Sequence, residues 1–188
     1  MDDPKPWLCQ GDVFARVPRL IPTFENGRIG GRIEYQAALL ITHGCVMDKA
    51  GSDGTPKTRQ LTFAPLSLPA DFPLIASTLP NLRSGSIDPS QLVLIPNHSG
   101  NPETVANLHQ VFYLPVELFS ARIKDFSGDS RLEEDGTTIR LVIDDHHERS
   151  SSMDTAELSL LHKKLMVNWT RFRPKDISSE MEEVVQDD

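Results

Sequence analysis

The stretch Gln36-Ala37-Ala38-Leu39-Leu40-Ile41-Thr42-His43-Gly44 decides the fold. Its run from Ala37 to Ile41 is the longest uninterrupted apolar run in the chain. A short apolar run that stops at a glycine reads as a central strand covered on both faces. Upstream, Asn26-Gly27 stands between Ile21–Phe24 and Arg28–Tyr35, a strong hairpin signal. Before it, residues 10–17 read as a short strand, and Pro18 and Pro22 predict an interruption of pairing, an edge or a bend.

Downstream, residues 49–56 form a polar turn-rich loop, and residues 60–66 alternate as another strand. Residues 68–89 hold Pro69, Pro73, Pro80 and Pro89 and predict an ordered excursion with one helical turn near 75–79. Strands follow at 91–95, within 105–114 and at 137–143, and Pro115 opens a short helix over 116–121. The one long helix spans 154–172. Asp154 caps it with Glu157 as partner, Leu158, Leu161, Leu165, Trp169 and Phe172 make its stripe, and Pro174 stops it. Residues 149–153 read as a linker. Six to eight short strands and one late helix predict an α+β arrangement: a small β-barrel with inserted loops and a C-terminal amphipathic helix. Residues 1–174 make a single domain, and 175–188 make a mobile acidic tail.

Composition sets the limits. A chain of 188 residues with 38% hydrophobic and 24% charged residues buries a core without disulfide or metal staples. Cys9 and Cys45 are too few for a disulfide framework. No apolar run approaches a membrane span and the first residues carry no secretory signal, so the expectation is a cytoplasmic protein with no membrane partner. The net charge of −8 is concentrated: 128–148 carry two Lys/Arg against seven Asp/Glu, and 175–188 one against six. Such acidity repels nucleic acid. Within 16–59, however, Arg16, Arg19, Arg28, Arg32, Lys49, Lys57 and Arg59 face Glu25, Glu34, Asp48 and Asp53, a local excess suited to a phosphate backbone or to a mixed solvated surface.

Three segments carry a resemblance. Gln10-Gly11-Asp12-Val13, Arg32 followed by Ala37-Ala38-Leu39-Leu40-Ile41-Thr42, and Leu61-Thr62-Phe63-Ala64-Pro65-Leu66-Ser67 together resemble the MazF/PemK toxin family over residues 10–67. The resemblance implies an SH3-like barrel, in many members a homodimer, acting as a metal-independent RNA endonuclease held by an antitoxin. The fuller pattern is similar to a bacterial group with no assigned activity, marked by Gln-Gly-Asp, Thr-x-x-Cys-Asp and an Ala-Pro strand. Here Thr42-His43-Gly44-Cys45 is followed by Val46 and Met47 before Asp48, so the aspartate is displaced.

The resemblance implies that Arg32 grips the scissile phosphate and that Ser67 donates to a phosphoryl oxygen, in a reaction needing no cofactor. The plainer alternative makes Arg32 a surface hairpin residue and Ser67 a turn former. Thr42 and His43 lie where a buried strand meets a loop, and an imidazole there suits a general base. Cys45 is a reactive thiol if His43 stabilises its thiolate, and otherwise a small core filler; a Cys9–Cys45 redox pair is a further alternative. Asp144-Asp145-His146-His147-Glu148 has metal-ligand residue types but reads as a solvated strand end. Trp7, Phe112, Tyr113, Trp169 and Phe172 read as core. Two functions follow: a toxin-like endoribonuclease on single-stranded RNA, or a non-catalytic barrel that binds an antitoxin or other protein in a bacterial defence or mobile-element system.

Overall fold

The computed structural model describes residues 1–25, 27–71, 75–96, 102–127, 139–144 and 148–170. The expected hairpin is present and longer than its signals suggest. Strand β1 (Asp12–Glu25) pairs antiparallel with β2 (Arg28–Leu40), with a bulge between Phe14 and Val17, and Glu25 faces Arg28 across the turn. Gly27 sits there at φ 74°, a conformation that favours glycine; Asn26 lies outside the described residues.

Pro18 and Pro22 do not interrupt pairing: they face Tyr35 and Gly31 in register. The other neighbour of β1, strand β9 (Arg149–Ser152), reaches only as far as Phe14. Beyond that point no described strand pairs with the other edge of β1, and at such an edge a missing N–H costs no ladder bond. Strand β9 itself occupies the expected linker. Its sequence Arg-Ser-Ser-Ser has no apolar pattern, and hydrogen bonds to the start of β1 order it.

After β2 come the short helix α1 (Gly44–Met47), strand β3 (Gln60–Ser67) and helix α2 (Ile75–Arg83). Strands β4 (Leu92–Ile95), β5 (Thr104–Asn107) and β6 (Phe112–Pro115) follow, then a 3-10 helix (Val116–Phe119), which is shorter than expected. Strands β7 (Arg122–Asp125) and β8 (Ile139–Val142) form a separate pair, and helix α3 (Thr155–Thr170) closes the described chain. Its cap is as anticipated: Asp154 Oδ1 accepts from the N–H groups of Ala156 and Glu157, and Glu157 Oε2 accepts from Asp154 N–H. Phe172 and the tail 175–188 lie outside the described residues.

The protein is therefore α+β, mostly antiparallel, with a C-terminal helix. The sheet runs β4-β5-β3-β2-β1-β9, with β6 also on β3, and no described pairing joins β4 to β9. Residues of both parities on β2 are buried. Ala38 and Leu40 join Phe14, Phe63, Phe119 and Leu141 on one face. On the other, Leu39 and Ile41 join Val13, Val93, Ile95, Leu161 and Leu165. This is a sheet with two covered faces, the second under α3, rather than one wrapped around a single interior. The central strand was expected to be covered on both faces, and that feature favours an open sheet over the closed barrel expected with it. No described helix is long and apolar enough to cross a membrane.

Candidate functional site

Strand β2 hands the chain to α1 through Ile41-Thr42-His43, on the face that α3 covers. Thr42 Oγ1 accepts from Thr62 N–H at 2.7 Å, extending the β2–β3 ladder by a side chain. His43 caps α1, its Nδ1 accepting from Cys45 N–H at 3.2 Å. Across from it stands His162 of α3, the two rings stacked at 5.7 Å between centroids.

Hydrogen bonds fix what each imidazole offers. Gln10 is buried, and its amide N–H donates to Ile41 C=O at 2.7 Å. This turns the Gln10 carbonyl toward His162, whose Nε2 lies 2.6 Å away and donates to it. The neutral His162 ring therefore carries its proton on Nε2 and leaves the Nδ1 lone pair available. His43 has the same tautomer but the other nitrogen free: Nδ1 is occupied as an acceptor from Cys45 N–H, and the Nε2–H is left to donate. Partial burial, with the charge of His43 beside it, lowers the pKa of His162 below its ordinary value. One ring is thus set up as a base and its neighbour as a donor.

The pair lines a cavity of about 740 Å³ between α3 and the β3–β6 end of the sheet. Thr42, Thr62, Arg59, Tyr113 and Trp169 share the lining. Arg59 is exposed and has no ion pair among the described residues. Tyr113 and Trp169 were expected in the core but are 60% and 59% exposed. Tyr113 is on β6, one strand beyond β3, and Trp169 is in the last turn of α3, so both rings stand at the rim.

Thr42 and His43 thus meet in this cavity, while Arg32 and Ser67 do not join them. Arg32 lies on the outer part of β2, exposed and paired with Glu34 at 2.6 Å. It is ten residues from Thr42 along nearly continuous strand, about 33 Å at about 3.3 Å per residue. Ser67 ends β3 beside Val105, and the register Ala38↔Pro65 carried two residues further sets it level with Gln36. Arg32 lies four residues further out, about 13 Å along the strand. No guanidinium–hydroxyl pair forms between them.

Cys45 is exposed rather than a core filler, because its short helix turns outward, and its Sγ lies 3.0 Å from His43 Nδ1. Both cysteines are free. Burial, with Asp12 nearby, pushes the Cys9 thiol up to about 11. The displaced Asp48 is a structural pin. Its Oδ2 accepts from Arg140 Nη1 at 2.8 Å and its Oδ1 from Leu141 N–H at 3.1 Å, tying α1 to β8. Residues 145–147 of the acidic His-His segment lie outside the described residues. Among the described residues no three His, Cys, Asp or Glu side chains are grouped to hold a metal ion.

Sequence reading missed His162 and Gln10 as its partner, and named Arg59 only as one of the basic residues of 16–59, not as part of this cavity. The signal for His162 was its place on α3, four residues after Leu158 and three before Leu165: an imidazole bordering an apolar stripe. No protein-family model, curated protein or solved structure matches the chain.

Proposed function

We propose that the cavity carries out metal-independent cleavage of single-stranded RNA by transfer of a phosphodiester to the adjacent 2′-hydroxyl. The supporting observation is the histidine pair, one ring with Nδ1 free to accept and the other with Nε2–H free to donate, on the wall of a cavity that also holds an arginine with no ion pair among the described residues. His162 Nδ1 takes the proton of the 2′-hydroxyl. The oxygen's electron pair forms the new bond to phosphorus as the bond to the 5′-oxygen breaks. His43 Nε2–H donates a hydrogen bond to a phosphoryl oxygen, the leaving oxygen takes its proton from water, and exchange with water returns His162 to its neutral form. Arg59 neutralises charge on the phosphoryl oxygens, and the rim rings of Tyr113 and Trp169 stack flanking bases. The reaction is the one the toxin resemblance implies, carried by the cavity rather than by Arg32 and Ser67. It does not require the closed SH3-like barrel.

The test is incubation of the full chain with single-stranded RNA in the presence of a chelator. The expected products end in a 2′,3′-cyclic phosphate and a 5′-hydroxyl. His162→Asn is expected to slow cleavage about 10²- to 10⁴-fold, the range for a general base. The rate should rise with pH through the lowered His162 pKa. Absence of cleavage, or cleavage indifferent to His162→Asn and Arg59→Ala, overturns the reading. The net charge of −8 favours a second reading, a non-catalytic module that holds a protein segment in the same cavity. Saturable peptide binding without RNA cleavage selects it.

A further inference from the structure

The outer part of the β1–β2 hairpin extends beyond the rest of the sheet as a two-stranded ribbon. Among the described residues, past Ala15, whose N–H still donates to Glu148 C=O, strand β1 has no strand partner but β2, and past Ala38 toward the turn β2 has none but β1. The two faces of the ribbon differ in kind. One carries Arg19 opposite Glu34, Ile21 opposite Arg32, Thr23 opposite Gly30 and Glu25 opposite Arg28. The other carries Pro18 opposite Tyr35, Leu20 opposite Ile33, Pro22 opposite Gly31 and Phe24 opposite Ile29. These four pairs include no charged residue, and the Arg16 guanidinium lies 4.4 Å over the Tyr35 ring at their inner end. Leu20 is 69% exposed, Phe24 74%, Ile29 85% and Ile33 64%.

The parity of β2 shows what this face is. Ile29, Ile33 and Tyr35 share their side of the strand with Leu39 and Ile41, which the α3-side core buries. The apolar face of the ribbon is the continuation of a core face, past the point where α3, β4 and β5 cover it. An isolated two-stranded ribbon is at best marginally stable in water, so a large apolar face kept on one marks an interaction surface.

We propose that this face packs against the same face of a second copy of the chain. Four cross-strand pairs span about 20 Å, and their exposed apolar surface is on the order of 500 Å². Two copies face to face would then bury on the order of 1,000 Å² in total, the lower bound for a specific protein–protein contact. The four pairs are uncharged, so apposing them brings no like charges together although each chain carries −8. At Gly31 a side chain would collide with Leu20, whose Cδ1 lies 2.8 Å from where a Cβ would stand, so Leu20 lies over the glycine. Two such apolar ribbons stack as sheets do, about 10 Å apart and related by a two-fold axis. Nucleic acid fits poorly: the opposite, polar face matches its arginines with Glu25 and Glu34.

The test is the mass of the full chain by light scattering across a concentration series, beside the variant Leu20→Thr/Phe24→Thr/Ile29→Thr/Ile33→Thr. Threonine keeps β propensity and pairs across strands, so the hairpin persists while the apolar surface is lost. The wild type is expected to approach twice the chain mass at high micromolar concentration and the variant to remain at the chain mass, with circular dichroism unchanged. A second probe uses Pro22→Cys in a Cys45→Ser background, which a bismaleimide of about 10 Å reach should link into a covalent dimer, since faces stacked about 10 Å apart hold the two thiols beyond disulfide range. A wild type that stays monomeric overturns the proposal, as does a variant that dimerises equally or a Pro22→Cys chain that never cross-links. Monomeric protein that sediments with phosphatidylcholine vesicles, and loses this in the threonine variant, assigns the face to a lipid surface instead.

Discussion

Replacing Arg149 with leucine tests how the start of β1 is held. Arg149 Nη1 donates to Asp12 Oδ2 at 3.0 Å and to Trp7 C=O at 2.6 Å, and Nη2 donates to Lys5 C=O. Asp12 is fully buried, and its remaining donors are Cys9 N–H at 2.9 Å and the Ser152 hydroxyl. Removing one partner of a buried ion pair costs about 3–5 kcal/mol. The orphaned Trp7 carbonyl adds up to about 1 kcal/mol, so about 4 kcal/mol is expected. For a chain of this size that lowers Tm by roughly 8–16 °C. Burial pushes the Asp12 carboxyl above its ordinary pKa, and Arg149 is the largest opposing influence, so the variant's Asp12 moves further up. A carboxyl raised in the folded state binds more protons folded than unfolded, and stability then falls as pH rises through the interval between the unfolded and folded values. The deficit of Arg149→Leu should therefore shrink as pH is lowered from 8 toward 5. Urea titrations followed by tryptophan fluorescence, run at several pH values, measure both effects. A deficit under about 1 kcal/mol, or one unchanged across that range, refutes the reasoning.

Gly11 has φ 91°, and a Cβ there would lie 2.9 Å from Met153 Cβ, so Gly11→Ala should cost about 2–4 kcal/mol by urea denaturation. Lys164 is buried, donates to the Ile87 and Pro89 carbonyls, and has its pKa lowered to about 8 by burial. Its unfolded state binds more protons between pH 8 and about 10.5, so wild-type stability should rise across that window relative to Lys164→Met, as paired thermal melts would report. Iodoacetamide at neutral pH should label Cys45 in the native protein and Cys9 only after unfolding, as peptide mass analysis would show.

What the sequence disclosed divides along the range of the interactions involved. The cap at Asp154, the turn at Gly27 and the double burial of Ala37–Ile41 depend on near neighbours and were legible. Gln10-Gly11-Asp12 was visible as a motif, but its roles need partners far along the chain. Gln10 orients His162, 152 residues away, and Asp12 holds Arg149, 137 residues away. Strand β9 was illegible because polar bonds to Asp12 and Val13 order it rather than an alternating pattern. Pro18 and Pro22 misled because their cost depends on whether a third strand lies alongside, which only tertiary structure decides. Tyr113 and Trp169 misled for a similar reason: an aromatic ring is core only where another layer covers it.

The length of β2 also separates the two proposals. The cavity begins where β2 ends and the ribbon face lies on its opposite half, about 30 Å away at the rise of an extended chain. Two copies joined through their ribbons would hold their cavities at the outer ends of the pair, too far apart for one to supply a group to the other. Cleavage per chain should then be the same above and below the concentration at which the chains pair, and the threonine ribbon variant should cleave RNA at the wild-type rate per chain. His162→Asn should conversely leave the association untouched. A ribbon variant that loses cleavage while keeping its fold would show that the partner completes the site, and the assignment of the chemistry to His43 and His162 of a single chain would fail with it.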